Sequence, residues 1–305
     1  MKRILTSLFA FALLIIMTQG NANAGGPLTG TKTIPGTYAT IAAAIADLNS
    51  NGVGTGGVIS NITPGYSEVV PFGFGLVINI TSNQPTSGNP VVFQRNGAGS
   101  NPIIQTDVAG SGLIAATTLG GVGDAMLSLR GTDYITFNNI NFVEQYTGAS
   151  QSSKTEYCVI MFRESSTDGC KNVTFNGCTF QQQQSDIYSS CIATVNRDLS
   201  GNITNPTTID GRHENISVQG CTMNNSANAM YFLGYSAPSP YDLFDHFYDI
   251  GTTTGNTCTN IGSNGVTNGN AVYGIFAQYL DSIKVNNNTV RVNNGTNNAL
   301  MYGIF

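Results

Sequence analysis

One nine-residue segment recurs four times: Tyr134-Ile135-Thr136-Phe137-Asn138-Asn139-Ile140-Asn141-Phe142, Asn172-Val173-Thr174-Phe175-Asn176-Gly177-Cys178-Thr179-Phe180, Asn215-Ile216-Ser217-Val218-Gln219-Gly220-Cys221-Thr222-Met223 and Ser282-Ile283-Lys284-Val285-Asn286-Asn287-Asn288-Thr289-Val290. A degenerate copy ends at Gly255-Asn256-Thr257-Cys258. Apolar and polar residues alternate at period two within each copy, which is the pattern of a half-buried strand and not of a helix. In the middle of each copy stands Asn139, Gly177, Gly220, Asn287 or Gly255. Asn and Gly enter the left-handed backbone region at least cost, so a bend is expected there with a short strand on either side.

A second unit precedes most copies: Ala125 to Leu129, Cys158 to Phe162, Cys191 to Val195, Ala229 to Leu233, Val272 to Phe276 and Met301 to Phe305. Repeats of roughly 30 to 40 residues signal a solenoid. Strand, bend, strand and variable loop predict an all-β, right-handed parallel β-helix, clearest over residues 124–305. A β-propeller needs four strands per blade and a more regular period. If the coils stack in register, Ile140, Cys178, Cys221, Asn256 and Asn288 form an inward ladder whose amides bond one another and the backbone.

The composition agrees. The chain has 305 residues with 34 Asn and 36 Gly, and only 10% are charged. That excludes a coiled coil or helical bundle. The net charge of −5 provides no basic footprint for nucleic acid. The sole helix expected is Thr37 to Asn49, where Ile41, Ala44, Ile45 and Leu48 make one apolar stripe and Thr37 or Thr40 caps the start. Laid across the first coil, it would cover exposed strand edges. Short strands follow at Val58 to Ile62, Leu76 to Ile80, Val91 to Gln94 and Ile103 to Thr106.

Residues 1–24 read as a signal peptide: Lys2 and Arg3, an apolar run from Ile4 to Met17, and Ala22-Asn23-Ala24 as the cleavage site. The mature domain is then 25–305, exported, with no later stretch apolar enough to span a membrane. Phe305 falls inside a strand unit, so the chain reads as the N-terminal part of a longer protein, its C-terminal end truncated.

Thr33-Ile34-Pro35-Gly36-Thr37-Tyr38-Ala39-Thr40-Ile41-Ala42-Ala43-Ala44-Ile45, then Leu48-Asn49 and Pro64-Gly65-Tyr66-Ser67-Glu68, resembles the N-terminal module of pectin-lyase-like β-helix proteins. Over residues 31–305 the chain is similar to the N-terminal region of large secreted surface proteins of Bacteroidetes-type bacteria, which carry a sorting domain for type IX secretion. The resemblance implies display at the cell surface and adhesion or glycan contact, and it implies no catalytic residues.

Sugar-cleaving chemistry needs grouped carboxylates, and the repeated strands hold almost none. The densest group is Asp242, Asp245, His246 and Asp249, within an apparent insertion from Tyr235 to Asp249. On a short helix these could share a face as a metal or catalytic site. The favoured reading is a solvated loop with Tyr241, Phe244 and Phe247 against the coil. Tyr235, Tyr241 and Tyr248 are candidates to stack on sugar rings, so Tyr235, Tyr241, Asp242, Asp245, His246, Tyr248 and Asp249 form the candidate glycan loop. Arg212-His213-Glu214 reads as a polar turn, because adjacent residues of extended chain diverge. Arg163, Glu164 and Asp168 read as loop charges.

Six cysteines lie between 158 and 258. Export permits disulfides and stacked Cys178/Cys221 or Cys158/Cys191 are close enough for them, but free buried thiols fit equally. No spacing suggests zinc, and no phosphate-binding glycine loop or cofactor signature is present. The expected function is a secreted scaffold or adhesin segment contacting glycans. The alternatives are a polysaccharide lyase or glycoside hydrolase with its groove partly beyond residue 305, and a purely structural stalk.

Overall fold

The computed structural model describes residues 25–110, 116, 118–262, 268–292 and 298–305; the expected signal peptide lies outside them. The chain winds as a right-handed parallel β-helix of three sheets. The first sheet runs Leu28–Ile34, Val53–Ile62, Val91–Arg95, Asp133–Asn138, Lys171–Asn176, Glu214–Gln219 and Asp245–Ile250, ending in the short strands Leu280–Asp281 and Lys284–Val285. Each coil then passes a bend into the second sheet (Asn141–Val143, Thr179–Gln181, Thr222–Ser226 and their neighbours) and a loop into the third (Ala125–Arg130, Tyr157–Phe162, Ser190–Thr194, Asn228–Leu233 and onward). Pairing between the named strands is parallel throughout, with the repeated segments in register: Phe93, Phe137, Phe175, Val218 and Ile250 stand one above another. So do Phe142, Phe180, Met223, Cys258 and Val290.

These two columns face inward, and the central coils are packed with rings. Phe137 stacks on Phe93 at 5.6 Å and on Phe175 at 5.3 Å, and Phe142 stacks on Phe180 at 5.1 Å. Phe175 and Phe180 meet edge to face across the interior at 5.8 Å. Repetition of one residue type at one slot thus becomes a continuous core. The outer face of the third sheet carries a second apolar layer, including Tyr157, Phe162, Tyr231 and Phe276, with Leu119, Val122 and Leu199 from loops packed against it.

The helix forms at Ile41–Asn51, four residues later than expected at its start and two later at its end. Thr40 is the cap, its side chain accepting from Ala43 N at 3.0 Å. Glu68 adds a second cap by accepting from Ile41 N and Ala42 N at 2.5 and 2.8 Å, which places a carboxylate at the positive end of the helix. The apolar stripe is buried as expected. Asn49 donates to Val77 O and accepts from Asn79 N, so the helix satisfies backbone along the edge of strand Leu76–Ile78.

Left-handed bends occur at Asn139, Gly177, Gly220 and Asn287, with φ of 54°, 61°, 60° and 57°. Gly255 departs from this expectation. Its φ is not positive; the left-handed residue of that turn is Gly251 at 80°. Gly255 is required for another reason: a Cβ there would lie 1.9 Å from Asn287 O of the next coil.

The inward ladder is present. Asn256 Oδ1 accepts from Cys221 N (2.8 Å), and its Nδ2 donates to Val218 O (2.9 Å) and to Asn288 Oδ1 (2.8 Å). Asn288 also accepts from Asn256 N and donates to Ile250 O. Asn288→Ala is expected to cost about 1–3 kcal/mol, since it strands the Asn256 N–H and leaves Ile250 O with the Asn286 N–H alone. Asn256→Ala should cost more, because Asn256 is buried and Asn288 half-buried. Urea denaturation measures both, and an unchanged midpoint for Asn256→Ala would remove the ladder from the account. All six cysteines are buried and free. Cys178 and Cys221, like Cys158 and Cys191, sit beside one another in adjacent coils. Neighbouring parallel strands point their Cβ atoms the same way about 4.8 Å apart, wider than a relaxed disulfide prefers.

Candidate functional site

The segment from Tyr235 to Asp249 is not one loop. Asp245–Ile250 is the first-sheet strand of its coil, paired with Glu214–Gln219 on one side and Leu280–Asp281 and Lys284–Val285 on the other. The favoured reading of a solvated loop is therefore corrected over Asp245–Ile250, and the extended backbone distributes Asp242, Asp245, His246 and Asp249 rather than placing them on one helical face. Tyr248 is buried in the slot held by Ile216 in the coil before, so it cannot stack on a sugar. Its ring packs on Phe232 at 5.1 Å.

Asp245 is also fully buried, and it corrects two further readings. Arg163, expected as a loop charge, has no exposed surface and reaches Asp245 Oδ1 with Nη2 at 2.7 Å. Its Nε donates to Asn196 Oδ1 at 3.0 Å and its Nη1 to Gly211 O. His213, expected in a polar turn, is fully buried, and its backbone N–H donates to the same carboxylate oxygen at 2.9 Å. The His213 Nδ1 accepts from Cys170 N at 3.0 Å, which assigns the ring proton to Nε2, facing Val195 O. These groups knit together the turns that lead from the third sheet into the first.

Burial, aided by the Arg163 charge, lowers the His213 pKa to about 4. The unfolded chain binds this proton near pH 6.5 and the folded chain does not, so the stability it contributes is complete above about 6.5. It is lost as pH falls toward 4. Relative to His213→Asn, the native chain should lose about 3 kcal/mol between pH 7 and pH 4. Urea denaturation of both chains at the two pH values checks this; parallel losses would contradict it.

The remaining candidates stay on the surface, on both sides of a shared ridge. His246 lies there, its ring 3.7 Å from the Phe247 ring and its Nδ1 3.0 Å from Asp281 Oδ2. On one side is a depression of about 520 Å³ lined by Tyr241, Asp242, Phe244, Arg212 and Asp281. Tyr241 is anchored by Phe244 at 5.3 Å, and Phe244 by Tyr279 at 5.9 Å. Arg212 is held by Glu214 at 3.1 Å and donates to Asp242 O. Tyr235 is half-buried and does not line this depression.

On the other side a groove of about 500 Å³ runs over the outer face of the first sheet. Two rows line it, each drawn from successive coils. One is Thr174, Ser217, Asp249 and Lys284, in register across four strands. The other is Asn172, Asn215, Phe247 and Ser282, whose φ values are 55°, 55°, 51° and 60°. This second left-handed column was missed in the sequence, although Tyr134, Asn172, Asn215 and Ser282 open the four recognised copies. Phe247, expected to pack against the coil, is instead exposed in this column; its coil reads in the sequence as an insertion.

Phe247 is the aromatic member of this row; Tyr134, at the same position of an earlier coil, and Tyr241 and Tyr279 share its left-handed conformation. A bulky side chain in the left-handed region is strained, and strain persists where the surroundings enforce it, often at functional sites. The ring is 48% exposed, so burial does not account for it. Around it are hydroxyls, amides, the Lys284 ammonium and the Asp249 carboxylate, which Gln219 Nε2 holds at 3.0 Å and Thr252 Oγ1 also contacts. An exposed ring flanked by fixed polar groups can bind a ring-shaped polar ligand, stacking on its C–H face while hydrogen-bonding its hydroxyls.

No protein-family model matches the chain, and no curated protein is similar to it. Among solved structures it is similar to the GH136 lacto-N-biosidase from Eubacterium ramulus. The selenomethionine form aligns with a TM-score of 0.47 at 16% identity over 77% of this chain and 39% of that one. The native form gives 0.42 at 15% identity, covering 77% of this chain and 40% of that one. The chain thus spans well under half the length of these proteins. No helix among the described residues is long and apolar enough to cross a membrane.

Proposed function

We propose that this chain is the carbohydrate-binding β-helix of an exported, cell-surface protein, of the kind routed by type IX secretion, and that it binds sugar along the outer face of its first sheet. The observation that carries the reading is Phe247: an exposed ring, held in a left-handed backbone, at the centre of a groove whose walls are hydroxyl and amide side chains from four coils. The rows repeat at the coil spacing of about 4.8 Å, so an oligosaccharide lying across the strands meets similar donors and acceptors along its length. Tyr241, 56% exposed beyond the ridge, offers a second stacking surface. Export is supported by the signal-like residues 1–24.

A glycan array with the secreted chain and its Phe247→Ala variant tests this. The wild type should retain a defined set of glycans, and Phe247→Ala should lose at least tenfold in affinity, about 1.4 kcal/mol, for an aromatic contact removed. Phe247→Ala should not lower stability, because alanine is no worse in that conformation and the ring is half exposed. Equal retention by the two proteins would sink the groove as the binding site, and release of shorter sugars from a bound glycan would favour the hydrolase alternative.

A further inference from the structure

A buried acidic group at the corner between the second and third sheets has no part in glycan binding. Asp124, Glu144, Glu156 and Asp186 are each at most 2% exposed, and Lys154 is the basic side chain buried with them. With every group ionised, four carboxylates against one ammonium leave a formal charge of −3 in the interior. Some of the oxygens are occupied. Glu156 accepts from Ala116 N and Asp124 N, Glu144 Oε1 from Thr155 N, and Asp186 Oδ1 from Tyr188 N.

The others are not. Glu144 Oε2, Asp186 Oδ2 and both amide atoms of Gln182 have no partner, and Gln182 has no exposed surface. Gln182 sits one coil beyond Glu144, since Val143 and Gln181 are in register. Burial, with the Asp186 charge nearby, holds the Glu144 carboxyl well above the usual carboxylate range. Leaving such atoms unpaired in the interior costs several kcal/mol in total, which a bound cation or uptake of protons relieves.

We propose that Glu144, Gln182 and Asp186 bind a calcium ion through Glu144 Oε2, Asp186 Oδ2 and Gln182 Oε1, with water completing the shell. The chemistry of the donors selects the ion. They are carboxylate and amide oxygens, the ligands of hard cations, without the thiolate or imidazole that zinc favours. Calcium accepts six to eight oxygens in flexible geometry, whereas magnesium demands a rigid octahedron and sheds water reluctantly. Among the described residues no three His, Cys, Asp or Glu side chains form a metal-holding group; the third protein ligand is the Gln182 amide, buried beside Glu144 in the next coil. A surface depression of about 240 Å³ is lined by Gln183, Gln184 and Ser185, the residues between Gln182 and Asp186, and by Asn225. Bound there, the ion ties the loop 183–189 to the coil beneath it.

The test uses the full chain, stripped with EDTA, dialysed at pH 7.5 and melted with calcium chloride, magnesium chloride or neither. Calcium at saturating concentration should raise the melting temperature by about 5 °C or more, in the way of any ligand bound only by the folded state. Titration calorimetry should give one ion per chain, and magnesium should do much less. Asp186→Asn and Glu144→Gln should melt in EGTA no lower than the wild type, because each removes a buried charge, and both should lose the calcium response. Absence of any calcium effect on the wild type would overturn the proposal and leave water or protons as the partners. A response that survives in Asp186→Asn would overturn it equally.

Discussion

Arg163→Ala should lose about 3–5 kcal/mol of folding stability, the range for breaking a buried ion pair from one side. The guanidinium meets Asp245 Oδ1, Asn196 Oδ1 and Gly211 O at once, all within turns that enter the first sheet. Without it Asp245 keeps the His213 N–H and a long contact from Tyr248 OH at 3.5 Å, but no counterion. The expected fall in melting temperature is on the order of 10 °C for a domain of this size. Arg163→Lys should recover only part, because one ammonium cannot serve three acceptors arranged for a planar fork. Arg163→Met combined with Asp245→Asn should recover more, since it removes both charges. A melting temperature for Arg163→Ala within about 2 °C of wild type would show that water replaces the guanidinium, and that the turns are not held by it.

Phe175→Ala should cost a similar 3–5 kcal/mol for a different reason, the cavity left by a large buried ring. Phe175 stacks on Phe137 and meets Phe180 edge on, so its loss opens space within both aromatic columns. Coils of a solenoid contact only their neighbours, and the damage should therefore be local. Hydrogen exchange should accelerate in strands Asp133–Asn138, Lys171–Asn176 and Glu214–Gln219 before the helix Ile41–Asn51 is affected. Uniform acceleration along the chain would contradict a coil-by-coil account.

The fold was legible because the same slots repeat the same chemistry. Phe137 and Phe175, or Cys178 and Cys221, announce stacking by recurring at fixed places in copies that alternate at period two. The bends were legible where Asn or Gly marked them, and Gly255 misled because a glycine demanded by close approach looks the same in sequence as one demanded by a left-handed φ. Asp245–Ile250 escaped for a related reason. Its Asp-His-Phe-Tyr-Asp-Ile puts a buried carboxylate, a strained ring and a buried tyrosine where other copies have Asn and Ile, so the periodicity is masked.

The site was only half legible. Tyr241 and Asp242 line one depression and Asp249 the other, while His246 lines neither. Asp245 belongs to an ion pair whose other member is 82 positions away, and no local pattern could connect them. Thr174, Ser217 and Lys284 are ordinary strand residues one at a time. They become a groove wall only when coils stack, and Phe247 matters only once its backbone conformation is known.

The central claim is that sugar lies across the outer face of the first sheet, over Phe247. Hydrogen exchange with and without a bound oligosaccharide chosen from the array tests it most directly. Protection should appear in peptides covering 172–174, 215–217, 247–249 and 282–284, with little change over the outer face of the third sheet. Protection confined to the third sheet, or to the loop 235–244 with residues 172–217 unaffected, would contradict the account.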